Sequence, residues 1–199
     1  MATKEDILEQ VVEEYLINQG YFVQHNIKFR PNPKHPDYIK KEDSNHSDID
    51  VLGYHPNKSG SHRVVAVSCK SWQGGFRPAS WLDAINKNKK VSGRRAWKGF
   101  RELTSAKWSE AFREVIYEKT GSRDFTYVIA VSNCKGEKEI WEQEDAFLQA
   151  MAGNPIKVLT FAEIVGEMND DLGTTLASTE VGRLLQLFKA AKIDIGVSD

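Results

Sequence analysis

Apolar positions along the chain change their period several times, and each change marks an element. Ile7, Leu8, Val11, Val12, Tyr15 and Leu16 recur at helical spacing and predict an amphipathic helix over residues 5–19. Thr3 followed by Asp6 reads as an N-cap signal, and Gly20 as the residue that ends the helix. Tyr21 to Phe29, Ser47 to Tyr54 and Arg63 to Lys70 then predict three strands. The Pro-, Asn- and Ser-rich stretch 30–47 predicts a loop, HPNKSGSH a turn, and Gly74-Gly75 a break after the third strand. Residues 78–119 read as mainly helical. Phe125 to Ser132 is a continuous apolar run, as in a strand buried on both faces. A helix over 139–152, a strand from Ile156 to Thr160 and a helix from Phe161 to Met168 follow. The last helix, Ser178 to Lys192, carries Val181, Leu184, Leu185 and Phe188 on one face. This order predicts an α/β fold, a mixed central sheet flanked by helices, in one domain over 1–199 with a helical tail over 166–199.

The 199 residues are 40% hydrophobic and 28% charged, enough to bury a sizeable core without cross-links. No apolar run is long enough to cross a bilayer, and MATKEDILEQ lacks the basic flank and apolar stretch of a signal peptide. Cys69 and Cys134 lie in apolar runs and read as buried free thiols, so a reducing cytoplasm is the expected compartment. Net charge is only −1, but it is unevenly spread. Lys87, Lys89, Lys90, Arg94, Arg95, Lys98, Arg101, Lys107 and Arg113 face only Glu102 and Glu110 between residues 84 and 113. Residues 137–171 reverse that balance. Such a chain can be neutral as a whole and still offer a basic face to a polyanion.

Side-chain alternation brings candidate chemistry together. In SDIDVLGY, Asp48, Asp50, Leu52 and Tyr54 are expected on one face, and in RVVAVSCK, Val64, Ala66, Ser68 and Lys70 on one face. A hairpin of the two strands sets Asp50 beside Ser68 and Lys70. Glu9 lies at the edge of the first helix's apolar arc and can turn into a cleft against the sheet, with Glu13 one turn further toward solvent. Converging carboxylates suit a hard cation such as Mg²⁺ or Mn²⁺, and a lysine beside it can orient a water or offset charge on a phosphate. His46, His55 and His62 fit no zinc spacing, and Gly74-Gly75 lacks the lysine–hydroxyl pair of a phosphate loop.

Glu9 followed by Gly20-Tyr21, Asp50-Val51-Leu52, and Ser68-Cys69-Lys70-Ser71 together resemble the motif pattern of the PD-(D/E)xK nucleases, in particular their Holliday-junction-resolvase-like and uncharacterised endonuclease branches. The resemblance runs over residues 5–72 and more loosely to about 165. It implies a restriction-endonuclease-like fold and Mg²⁺- or Mn²⁺-dependent hydrolysis of DNA. By it Asp50 is a metal ligand, Lys70 the catalytic lysine, Glu9 an auxiliary ligand and the Cys69 carbonyl a further one. Trp72 and Gln73 stand where such proteins touch substrate, and Lys87, Lys89, Lys90, Arg94, Arg95, Lys98 and Arg101 become the DNA-backbone grip. Nucleases of that fold often act as dimers, so a homodimer belongs to the same expectation. Serine at 68 departs from the family's acid. Asp48, Glu9 or Glu13 is then the compensating acid, or the chain is a DNA-binding module that has lost its chemistry. A third reading pairs the acidic and basic halves of two protomers in a protein-interaction domain.

Overall fold

The computed structural model describes residues 6–171, 177 and 179–193. The first helix, α1, spans Ile7–Asn18. Asp6 caps it, its carboxylate accepting from the Leu8 N–H at 2.9 Å; Thr3 lies outside the described residues. Gly20 (φ +84°) ends it. The Gly20 N–H returns to the Ile17 carbonyl and the Tyr21 N–H to Leu16, the paired bonds of a Schellman stop.

The chain then enters β1 (Phe22–Phe29). The predicted loop contains a single helical turn, α2 (Lys40–Asp43), before β2 (Ser47–Tyr54) and β3 (Val64–Lys70). The segment 78–119, expected to be mainly helical, is interrupted. α3 (Pro78–Asn86) leads into a two-stranded hairpin, β4 (Lys90–Val91) and β5 (Arg94–Arg95), then α4 (Arg101–Thr104) and α5 (Ala106–Thr120). Ser92 and Gly93 both have positive φ, the backbone that a two-residue hairpin turn demands. β6 (Thr126–Val131) is buried throughout, as its apolar run predicts. The helix expected over 139–152 is two short ones, α6 (Glu139–Glu142) and α7 (Asp145–Ala150). Near the break between them, the Glu142 carboxylate accepts from the Val158 N–H of β7 (Ile156–Thr160). α8 (Phe161–Asp171) and α9 (Glu180–Ala190) complete the described chain.

The five main strands form one mixed sheet in the order β1-β2-β3-β6-β7. β1, β2 and β3 pair antiparallel, and β3, β6 and β7 parallel. One face carries α1, α8 and α9 over Val51, Val67, Val128 and Ala130. The other carries the helices of 78–150 over Leu52, Ala66, Tyr127 and Ile129. Leu185 is buried beneath α9, whereas Leu184 is exposed despite its place on the predicted apolar face. Among the described residues no helix is long and apolar enough to cross a membrane.

The strict alternation expected for β2 fails at Asp50. Ile49 and Leu52 pack into one core and Val51 into the other. Asp48, Asp50, Leu52 and Tyr54 therefore do not share a face. Opposite Asp50, Asn26 adopts φ +51°, and the 26–50 pair is missing from an otherwise continuous β1–β2 register. The local twist turns Asp50 edge-on to the sheet.

Candidate active site

The β2–β3 ladder runs from Tyr54↔Val64 to Val51↔Val67 and stops there. Beyond it the Cys69 N–H has no strand partner on the β2 side. The Asp50 carboxylate takes that place, accepting from the Cys69 N–H at 2.6 Å. Because a strand residue's N–H and C=O point to the same neighbour, the Cys69 carbonyl faces the same gap. The Cys69 side chain points to the α1 face, where burial pushes its thiol well up. Both cysteines are free.

Ser68 and Lys70 share the opposite face with Ala66. The Lys70 ammonium donates to the Ser68 hydroxyl at 2.8 Å and sits 6.0 Å from the centre of the Phe100 ring. It is also close enough to Asp50 to lower that group's pKa. Burial nevertheless outweighs Lys70 and the Cys69 N–H, and with Asp48 and Glu102 nearby the Asp50 carboxyl is raised to about 6. Glu9 approaches from the first turn of α1. Burial and then the charges of Asp50, Asp6 and Asp48 raise it to about 7. Asp48 itself is exposed. The Asp6 carboxylate also accepts from the Ser71 hydroxyl at 2.6 Å, which ties the start of α1 to the end of β3.

By sequence Glu102 reads only as an acid within a basic run. It is in fact buried, 6% exposed, on α4. Its carboxylate accepts from the Tyr127 hydroxyl at 2.6 Å, and Tyr127 in turn lies within hydrogen-bond reach of Ser68. Lys70, Ser68, Tyr127 and Glu102 thus form one polar chain through the core. The available signal was positional: an acid bracketed by Phe100 and Leu103 in a cationic segment. Among the described residues, no three His, Cys, Asp or Glu side chains are grouped to hold a metal ion. Asp50 and the Cys69 carbonyl border the gap, and Glu9 lies near enough to Asp50 for their charges to couple.

No protein-family profile, curated protein or solved structure matches this chain.

The remaining predicted residues lie on one flank. Trp72 and Gln73 border a cleft shared with Arg94, Arg95, Lys98 and Arg101. Lys87 and Lys89 both pair with Asp83, off that cleft. Lys90 faces Arg95 across the hairpin, and Arg95 donates to the Asn88 carbonyl. Lys98 lies 3.6 Å from Glu42, and Arg101 covers the Trp108 ring. The basic cluster is therefore not one uniform stripe: part of it is neutralised locally and part faces the cleft.

Proposed function

We propose that this chain is a divalent-metal-dependent endodeoxyribonuclease of restriction-endonuclease-like type. The observation that carries the reading is the splayed β2–β3 ladder, where the Asp50 carboxylate fills the gap at the Cys69 N–H, with Lys70 on one face of the sheet and Glu9 coupled to Asp50 by charge from α1 on the other. Two carboxylates and a backbone carbonyl are oxygen donors that suit Mg²⁺ or Mn²⁺, with water and phosphate oxygens completing the shell. Glu9 and Asp50 both hold their protons more tightly than surface carboxylates, chiefly because they are buried and secondarily because of the acids around them. A bound cation there supplies Lewis-acid stabilisation of the phosphate and a more acidic water.

The chain's own residues do the rest. Asp50 is pinned by the Cys69 N–H through one oxygen, which leaves the other free to face the gap. Lys70, oriented by Ser68, holds the attacking water and offsets negative charge growing on the phosphate. Serine at 68 offers no charge. In this reading Glu102 provides it from the far end of the hydroxyl chain through Tyr127, and acts as a positioning residue. Asp48, being exposed, is the weaker candidate for that compensation. The basic residues beside Trp72 bind the strand's phosphates.

The test is cleavage of plasmid, branched and single-stranded DNA with Mg²⁺, Mn²⁺ or chelator. The expected result is metal-dependent cutting that Lys70→Ala abolishes. Absence of cutting by wild type, or equal cutting by both proteins, overturns the proposal. Salt-sensitive DNA binding without cutting instead supports the binding-module alternative, and Ser68→Glu then reports whether the scaffold can regain chemistry.

A further inference from the structure

Lys70 meets an aromatic cluster at Phe100, and the far side of that cluster is open. Trp72 and Trp81 stack on one another with ring centroids 4.6 Å apart and planes within 17°. Both pack edge-on against Phe100. Neither indole is fully buried, and both border a cleft of about 960 Å³ closed on its other side by the β4–β5 hairpin. Arg94, Arg95, Lys98 and Arg101 line this cleft, Lys98 lying 3.6 Å from Glu42, and among the described residues no acid lines it. The cavity beside α5 differs: there Glu110, Glu114 and Glu118 offset the arginines. A stacked indole platform inside a cationic wall matches one chemistry, a flat π-face joined to phosphate. A base inside a duplex has both faces covered by its neighbours, so away from the duplex ends only an unpaired one can present a face.

We propose that the Trp72–Trp81 cleft binds an unpaired nucleobase, with Arg94 and its basic neighbours on the flanking phosphates. The preferred ligand is single-stranded or locally opened DNA. That a strand held there continues past Asp50 and Lys70 rests on the nuclease reading; the base-binding cleft does not.

The experiment is a titration in chelator, followed by tryptophan emission and by anisotropy of a labelled oligothymidylate, against a blunt duplex of equal length. The expected result is quenching by the single strand and affinity on the order of tenfold above that for the duplex. Trp81→Leu and Arg94→Ala each weaken single-strand binding, Trp81→Leu by on the order of tenfold. Lys87→Ala, which lies off the cleft, leaves it unchanged. Arg94 is exposed, so its variant remains decisive even if Trp81→Leu disturbs the core. Equal affinity for both DNAs, or equal weakening by Lys87→Ala and Arg94→Ala, overturns the proposal in favour of simple phosphate attraction. Oligothymidylate binding through the cleft in a chain that never cuts DNA defeats the nuclease reading alone. Metal-dependent cutting with no role for Trp81 in binding defeats this one alone.

Discussion

Two aspartates in this protein face a lysine away from bulk water, and they behave oppositely. Asp43 is 1% exposed and accepts from the Lys107 ammonium at 2.6 Å, the Ile39 N–H at 2.7 Å and the Trp108 indole at 3.0 Å. Burial alone would raise its pKa, but these donors outweigh it and hold the carboxyl below its ordinary value. Asp50 receives one backbone N–H, while its lysine turns to Ser68. Burial wins there, and the carboxyl rises to about 6. A buried ion pair completed by its own fold fastens structure: Asp43 ties α2 to α5. A carboxylate left incompletely satisfied at a gap retains capacity for a cation from outside.

That contrast can be broken by substitution. Asp43→Ala leaves the Lys107 charge without its partner and should cost about 3–5 kcal/mol in urea unfolding. Lys70→Ala should leave the unfolding midpoint near that of wild type while lowering cleavage by about a hundredfold or more. If Lys70→Ala destabilises as strongly as Asp43→Ala, the two sites are alike and the functional reading of Asp50 loses its basis. Glu102→Gln should lower cleavage by on the order of tenfold, and Ser68→Glu in the same chain should restore part of it.

The pH dependence follows from the raised groups. Glu9 and Asp50 have higher pKa values folded (about 7 and about 6) than their ordinary values of 4.5 and 3.8. The folded chain therefore binds more protons in that window. Their contribution to stability is full below about pH 4 and is lost as pH rises through about 6 to about 7. In chelator, melting temperature should fall from pH 5 to pH 8 for this reason, and Asp50→Asn should flatten the fall. Excess Mg²⁺ should raise the melting temperature more at pH 8 than at pH 5. The smallest expected effect is that of Asp6→Ala, about 1 kcal/mol through loss of the α1 cap, read by thermal unfolding.

The sheet was largely legible in the sequence because local signals and burial agree there. The stripe of α1, its Gly20 stop and the apolar run of β6 each follow from a single strong local preference. Asp50, midway along β2, and Lys70, at the end of β3, could be singled out as candidates from motif spacing alone. The kink that aims Asp50 could not, because it goes with a positive φ at Asn26 opposite it, a residue on another strand. The β4–β5 hairpin escaped for a different reason: its strands are two residues each, too short to show a period, although Ser92-Gly93 is an ordinary turn signal. Glu102 was hidden by composition, since an acid among cations reads as a surface residue until its burial is known.

The most direct test of a metal site at Asp50 is calorimetric titration of Mn²⁺ into the metal-free chain at pH 8, comparing wild type with Asp50→Asn and Asp43→Asn. Saturable binding is expected, abolished by Asp50→Asn and retained by Asp43→Asn if that variant folds. No binding by wild type, or equal binding by wild type and Asp50→Asn, contradicts a cation held at the β2–β3 gap.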